Sequence, residues 1–298
     1  MAPLRDIREK IKSVTSTQKI TNAMRMMSTA KLSKALASVN QTKTYITKLL
    51  DLASSVKKKM VGFKHPALEE RPVKKSATIV IGGERGLCGG FNQDLHKFAL
   101  ECIKKESLES QQIYAIGEKP IRFFEMMNIP LAKKYHSLNI KDLESELLNL
   151  SKELYAKFET KEIDRVNLIF TSYISSVKHP ILCQQLLPIA ENSELLSDND
   201  EDETKSVSKN GKPITLTYDF YPSPEIIFSN MLPRYLYNSL LKAVIESVAA
   251  EQCARMVAMT SATDRANEKL EELRLELNRS RQAQITQELN EVIAGSQT

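Results

Sequence analysis

The sequence predicts an α/β fold, in which N-terminal and C-terminal helices form a long antiparallel coiled coil beside a central α/β domain. Two observations predict this division. Neither glycine nor proline occurs in the 58 residues between Pro3 and Gly62 or in the 61 residues between Pro233 and Gly295. In the middle of the chain, β-branched runs alternate with helical patterns. The expected boundaries are 1–60 for the first helix, 75–220 for the central domain and 224–298 for the last helix.

The two terminal segments are predicted to be continuous helices, because glycine costs about 1 and proline about 3 kcal/mol inside a helix. Each could extend about 90 Å at the helical rise per residue. Helices of that length need to shield each other, and apolar residues recur at three- and four-residue steps. These predicted seam residues are Leu4, Ile7, Ile11 and Val14 in the first segment, and Leu270, Leu273, Leu277, Ile285, Leu289 and Val292 in the last.

Polar residues interrupt this predicted seam at Gln18, Thr21, Arg281 and Gln284. An exposed stretch or a kink would explain them, since a simple dimeric zipper places leucine at such positions. Surrounding proteins that use the outer faces of the helices would explain them equally well. Both explanations remain open from the sequence.

The central domain begins with a predicted strand, a glycine-rich loop and a helix. The strand covers 77–81, the loop 82–90 and the helix 91–105. Further strands are expected at 113–116, 166–173 and 181–187, with helices at 118–127 and 143–158. Alternation of this kind predicts a sheet with at least partly parallel order.

A glycine loop after a first strand also suggests a nucleotide-binding enzyme, because such loops hold phosphates at helix N-termini. The residues do not favour this reading. A Walker loop requires GxxxxGK followed by Ser or Thr, yet the only Gly-Lys pair, Gly211-Lys212, is followed by Pro213. The GxGxxG spacing is also missing. A tight turn that lets the backbone approach a partner closely is the favoured interpretation.

The end of the central domain carries seven acidic residues between Glu191 and Glu203, within a segment 191–212 that is expected to be a mobile loop. An edge strand is expected at 214–218. Ser223 followed by Pro224 then predicts the N-cap and first position of the last helix.

Charge is concentrated in the first helix. Residues 1–60 carry 13 Lys or Arg and three acidic residues, a net charge of +10. A basic helix of this kind suggests nucleic acid as a partner, but the chain has no aromatic interleaving and no recognisable DNA-binding module. An acidic protein partner is equally compatible with it.

Other chemistry has little support in the sequence. Four cysteines and four histidines show neither metal-ligand spacing nor a disulfide framework, and catalytic motifs such as GxSxG and HExxH are missing. No run of 18 apolar residues occurs, so membrane association would depend on other proteins.

Six motifs, in order and along the whole chain, resemble the gamma subunit family of F-type ATP synthases. They are QKITNAM at 18–24, ERGLCGGFN at 84–92, LPRYL at 232–236, ARMVAM at 254–259, ATD at 262–264 and RQAQITQE at 281–288. The resemblance implies an antiparallel coiled coil inside a hexamer of alpha and beta subunits, and a Rossmann-like middle beside epsilon and the ring of c subunits.

The resemblance implies a central-stalk rotor with no cofactor and no catalytic residues of its own, which couples proton flow to ATP synthesis on other subunits. Met24 and Cys88 would lie near an acidic loop of beta, and Arg255, Gln282 and Thr286 would make polar contacts with beta. The expected location is the cytoplasmic face of a bacterial inner membrane, as a peripheral protein. The matrix side of a mitochondrial inner membrane is the alternative.

Overall fold

A computed structural model describes residues 4–59, 71–105, 110–176, 178–189, 221 and 223–295. They divide into two compact units: the helical unit, which draws on 1–32, 87–89 and 252–298, and the sheet unit, which draws on 33–86 and 90–251. In chain order the elements are α1 Leu4–Lys59, β1 Lys75–Ile81, α2 Phe91–Lys105, β2 Ser110–Ile116, α3 Glu118–Met126, β3 Lys133–Tyr135, α4 Ile140–Glu159, β4 Arg165–Thr171, β5 Ile181–Leu187 and α5 Pro224–Gly295.

The two terminal helices have 56 and 72 residues, which confirms the prediction of long helices at both ends. Helix α5 begins where the sequence predicted. The Ile226 amide donates to the Ser223 hydroxyl at 3.4 Å, and the Ile227 amide donates to the Ser223 carbonyl at 3.2 Å. This pattern caps the first turn, where Pro224 has no amide hydrogen to satisfy. Pro233 lies inside α5, so the helix continues through one missing hydrogen-bond donor.

The sheet has the strand order β3-β2-β1-β4-β5. Strand β1 pairs in parallel with β2 and β4, and β2 pairs in parallel with β3, whereas β4 and β5 are antiparallel. The prediction of an α/β layer with partly parallel order is therefore confirmed. The central strands are apolar on both faces because helices cover both faces of a parallel sheet.

Two apolar clusters lie on opposite faces of the sheet. Ala77, Ile79 and Ile81 of β1 face one cluster, which also contains the inner side of α4 and the first turns of α5. Val80 faces the other cluster, with the buried sides of α2 and α3. The alternation of β1 side chains between the two clusters follows the two-residue period of a strand.

Strand β3 was missing from the sequence-based prediction. Its three residues pair with Tyr114 to Ile116 of β2, and only Tyr135 among them is buried. A three-residue edge strand with two exposed lysines carries no alternation of apolar and polar residues, which is the signal that strand prediction requires. The acidic segment 191–212 and the strand expected at 214–218 lie outside the described residues.

Candidate functional site

The glycine-rich loop lies at the carboxyl edge of the sheet, where α/β enzymes bind ligands. Asn92, at the start of α2, binds the backbone of this loop through both the oxygen and the nitrogen of its side-chain amide. The Gly83 amide donates to Asn92 Oδ1 at 3.2 Å, and Asn92 Nδ2 donates to the Arg85 carbonyl at 3.3 Å. The first turn of α2 therefore binds the loop itself.

Gly83 is also close to helix α5. A Cβ at this position would lie 2.8 Å from Asn92 Oδ1 and 3.2 Å from the carboxyl carbon of Glu251. The shorter distance, to Asn92 on α2, is below the range that Cβ contacts show, and the Glu251 side chain of α5 would have to shift as well, so the two side chains together favour glycine here. The close approach at Gly83 is to side chains of this chain, and the predicted approach of the loop to a partner stays a prediction.

The neighbouring crevice between β1 and β4 is filled by side chains of α5. This is the point where the strand order reverses and where dinucleotides bind in related folds. Here the Ser172 hydroxyl donates to Glu246 at 2.7 Å, and the Thr171 amide donates to the Ser247 hydroxyl at 3.3 Å. Two buried carboxylates, Glu246 and Glu251, thus occupy the edge at which an enzyme would bind phosphate. This geometry counts against the nucleotide-dependent enzyme.

The helical unit is built on a regular seam of buried and half-buried side chains. The steps between seam positions alternate between four and three residues, as in a coiled coil. On α1 these positions include Ile7, Ile11, Val14, Gln18, Thr21, Ser28 and Leu32, and on α5 they are Met259, Thr263, Ala266, Leu270, Leu273 and Leu277.

Two hydrogen-bonded pairs across this seam fix its direction. Thr263 Oγ1 lies 2.8 Å from Thr21 Oγ1, and Gln18 Nε2 donates to Asn267 Oδ1 at 3.1 Å. Residue numbers fall on α1 while they rise on α5, so the helices are antiparallel, as predicted. Gln18 and Thr21 therefore interrupt the apolar seam for a reason that the sequence analysis missed: each has a polar partner on the opposite helix.

Three residues that were predicted to belong to the seam lie outside it. Ile285, Leu289 and Val292 are between 49 and 71% exposed. The cross-helix pairs place Leu277 near Ile7, so residues beyond about Arg281 extend past Leu4, the first described residue of α1. Helix α5 therefore carries an apolar stripe that α1 does not cover.

Further apolar side chains are exposed on the helical unit, and the sequence analysis did not single them out. They are Ile20, Met26 and Met27 on α1 and Val257 and Leu275 on α5. The sequence did contain a signal for this exposure. These positions fall outside the four- and three-residue steps of the seam, and such positions lie on the outer faces of their helices. Each is large and apolar on a face that the other helix leaves open.

All five predicted contact residues belong to the helical unit, but their exposure differs. Gln282 and Thr286 are exposed and one turn apart, with the Thr286 hydroxyl donating to the Gln282 carbonyl at 2.9 Å. Met24 is half-buried. Cys88 and Arg255 are buried, with 3 and 6% of their surface exposed. The five residues therefore do not form one continuous exposed patch.

No group of three or more His, Cys, Asp or Glu residues is arranged to hold a metal ion within the ranges that the structure describes. Over the same ranges, no helix combines the length and the apolar composition needed to cross a membrane.

Comparison with known proteins gives consistent matches. A family model described as ATP synthase matches residues 3–298. The chain is similar to the ATP synthase gamma chain of Haemophilus influenzae, with 36% identity over 298 residues that cover 99% of each chain.

Two solved structures share the fold at low sequence identity. The rotor of the Euglena gracilis mitochondrial ATP synthase has a TM-score of 0.59 at 17% identity, and the match covers 95% of this chain and 98% of that one. The central stalk in the Tetrahymena thermophila mitochondrial ATP synthase structure has a TM-score of 0.53 at 21% identity, covering 82% and 99%. Since the family model and the bacterial relative both match nearly the whole length, the chain belongs to the ATP synthase gamma chain family.

Proposed function

We propose that this chain is the central-stalk rotor subunit of an F-type ATP synthase. In this role it couples proton flow through the membrane sector to ATP synthesis on other subunits, and it catalyses no reaction itself. The observation that carries the proposal is the uncovered apolar stripe of α5, at Ile285, Leu289 and Val292, on a helix that pairs with α1 over its earlier turns. Exposed apolar stripes mark surfaces that a partner covers.

The proposed partners are the alpha and beta subunits around the helical unit, together with epsilon and the ring of c subunits. The solved structures that share this fold are a rotor and a central stalk with its c-ring. Coupling by rotation requires a stiff element that presents different faces to its surroundings as it turns. A pair of long helices with exposed apolar side chains on both is suited to that task.

The five predicted contact residues are retained in this proposal as the contacts with beta. Gln282 and Thr286 are exposed and available for direct polar contact. For Cys88 and Arg255, contact with beta requires the partner to reach the small exposed part of each side chain, or a rearrangement on assembly. Their effect on coupling is therefore expected to be more sensitive to side-chain shape than that of Gln282 or Thr286.

We further propose that the protein is peripheral to the membrane and is held there through the membrane sector. The cytoplasmic face of a bacterial inner membrane is the favoured location, because the relative with 36% identity is bacterial. Release from membranes together with the alpha and beta subunits at low ionic strength would support this location. Extraction that required detergent would contradict it.

The decisive experiment is reconstitution of the chain with alpha and beta subunits of a related bacterial enzyme. ATPase activity is measured with and without the chain, and a chain-dependent increase is the expected result. A failure to join the hexamer would overturn the proposal.

The contact assignments are tested in the same complex. Arg255→Ala is expected to lower ATP-driven proton pumping while the fold remains intact, with Arg255→Lys as the matched variant that keeps the charge but not the planar guanidinium. Unchanged pumping per ATP in Arg255→Ala would remove Arg255 from the contact set.

A further inference from the structure

The middle of the α1–α5 seam differs in chemistry from the turns that follow it on α5. From Leu270 to Leu277, the seam positions on α5 are apolar, and the register of the cross-helix bonds places them opposite Ile7, Ile11 and Val14 on α1. Before that stretch, on either side of Ala266, Thr263 and Asn267 meet hydroxyl and amide groups of α1. We call Gln18, Thr21, Thr263 and Asn267 the polar seam.

The hydroxyl pair at the centre of the polar seam has two protons to share among three close oxygen contacts. Thr263 Oγ1 lies 2.8 Å from Thr21 Oγ1, and when it donates across the seam, Thr21 donates in turn to the Gln18 carbonyl at 3.1 Å on its own helix. Thr263 Oγ1 is also 2.8 Å from the Met259 carbonyl. Both threonines are buried, so water does not replace the bond across the seam.

Such a bond distinguishes one alignment of the two helices from its neighbours. Along the aliphatic part of the seam, a slip by one turn exchanges one apolar contact for another of similar kind. At the polar seam, the same slip would remove the Thr21 hydroxyl from Thr263 and the Gln18 amide from Asn267. Single polar residues at coiled-coil seam positions are known to specify register in this way.

We propose that the polar seam fixes the axial register of α1 and α5, and that Thr21 and Thr263 are thereby positioning residues for rotary coupling. The proposal rests on the rotor function proposed above. Met24 follows Thr21 by less than one turn on α1, whereas Gln282 and Thr286 lie on α5. A slip of one turn, about 5 Å, would displace the α1 contacts relative to the α5 contacts within the surrounding hexamer.

The test compares substitutions that remove the hydroxyls with substitutions that keep them. Thr21→Val with Thr263→Val keeps the branched shape and removes both hydroxyls, whereas Thr21→Ser with Thr263→Ser keeps both hydroxyls. Thr17→Val is the control for loss of a threonine hydroxyl outside the seam, because the Thr17 hydroxyl is exposed and donates to the Ser13 carbonyl of its own helix.

Register is read from electron spin resonance distances in the full-length chain and in the reconstituted complex. Spin labels are attached to keto amino acids introduced at the exposed positions Lys10 and Ser261, which avoids the native cysteines. These positions are offset along the helix axes, so a slip by one turn changes the distance by about 5 Å. The valine pair is expected to add a population shifted by this amount, whereas the serine pair and Thr17→Val keep the wild-type distance.

Coupling is read as protons pumped per ATP hydrolysed by the reconstituted complex in vesicles. The valine pair is expected to lower this ratio by about twofold or more, while hydrolysis itself changes less, because displaced contacts impair transmission between sites. An unchanged distance in the valine pair overturns the proposal even if activity falls, since packing alone would then explain the loss. A serine pair that behaves like the valine pair also overturns it.

These measurements separate the proposal from the function on which it rests. If the wild-type chain failed to stimulate the hexamer, the rotor function would fail. The spin-label distances in the full-length chain would still decide whether the polar seam sets the register.

Discussion

The Ser172 hydroxyl donates a 2.7 Å hydrogen bond to the Glu246 carboxylate and so joins the end of β4 to α5 across 74 residues of sequence. Glu246 is buried, and a buried carboxylate that loses a donor carries the full cost of its desolvation. This bond therefore helps to hold α5 over the carboxyl edge of the sheet.

Ser172→Ala is expected to lower the free energy of unfolding by about 1 to 3 kcal/mol, because it removes this donor from Glu246. The measurement is urea unfolding of the purified chain, followed by circular dichroism. Ser175→Ala, at an exposed position in the same loop, is the control: it removes an exposed hydrogen bond from the Lys178 amide to the Ser175 hydroxyl, and is expected to cost less than about 1 kcal/mol. Equal effects of the two substitutions would contradict the role given to the Ser172–Glu246 bond.

Gly117 and Gly86 are expected to respond to alanine in opposite ways. Gly117 has a φ of 102°, and an added Cβ would lie 2.5 Å from the Gly82 carbonyl oxygen. Gly117→Ala should therefore destabilise the sheet unit by at least about 3 kcal/mol. At Gly86 an added Cβ meets no atom within 4 Å, so Gly86→Ala should be neutral or stabilise by up to about 1 kcal/mol.

Thermal unfolding of the two glycine variants, side by side, measures this difference. A stable Gly117→Ala protein would show that the backbone segments at Gly82 and Gly117 can move apart to make room for the added Cβ. A strongly destabilised Gly86→Ala protein would show that the loop is more tightly constrained than its open surroundings indicate.

His96 is expected to make stability depend on pH in the acidic range. Its ring stacks on Phe123 with centroids 4.2 Å apart, and burial, together with the charge of Lys119, lowers its pKa to about 4. In the unfolded chain a histidine binds a proton near its ordinary pKa of about 6.5. Between these values the unfolded state binds more protons, so stability is full above about pH 6.5 and is lost as the pH falls toward 4.

Allowing for solvent screening of a partly exposed ring, the loss from His96 is on the order of 1 to 2 kcal/mol. His96→Phe keeps the stacking and removes the titration, so its free energy of unfolding should fall less than that of the wild type between pH 7 and pH 4.5. Lys119→Gln should raise the pKa of His96, measured by nuclear magnetic resonance titration. Identical pH dependence of wild type and His96→Phe would contradict this account.

Much of the fold follows from the placement of glycine and proline. The missing helix breakers predicted α1 and α5, and Ser223 with Pro224 located the start of α5, because both signals are local properties of the backbone. Strand β3 could not be predicted in the same way. Its three residues are ordered by their pairing with β2, which is a contact distant in sequence.

The helical seam shows where sequence reasoning stopped. Spacing alone placed Leu270 and Ile285 in one apolar series, yet only Leu270 is covered by α1. The difference depends on which α1 residue lies opposite, and that register is not encoded in α5 itself. The polar partners Thr263 and Asn267 were overlooked for the same reason, although the four- and three-residue steps do place Thr263 at a seam position.

Leu273 and Leu275, two residues apart on α5, separate the seam within the chain from the surface that is proposed to meet other subunits. Leu273 is 4% exposed, whereas Leu275 is 61% exposed. Leu273→Ala should lower the free energy of unfolding of the isolated chain by about 2 to 3 kcal/mol, because it leaves a cavity between the helices. Leu275→Ala should change it by less than about 0.5 kcal/mol, because the side chain is already in water.

In the reconstituted complex the effect of Leu275→Ala is expected to grow, because a partner that covers this side chain would lose an apolar contact worth about 1 to 2 kcal/mol. The measurement is the concentration of chain needed for half-maximal stimulation of the hexamer, which should increase for Leu275→Ala more than for a polar-face control such as Arg274→Ala. If Leu275→Ala binds as well as wild type, the outer face of α5 at this level is not covered by a partner.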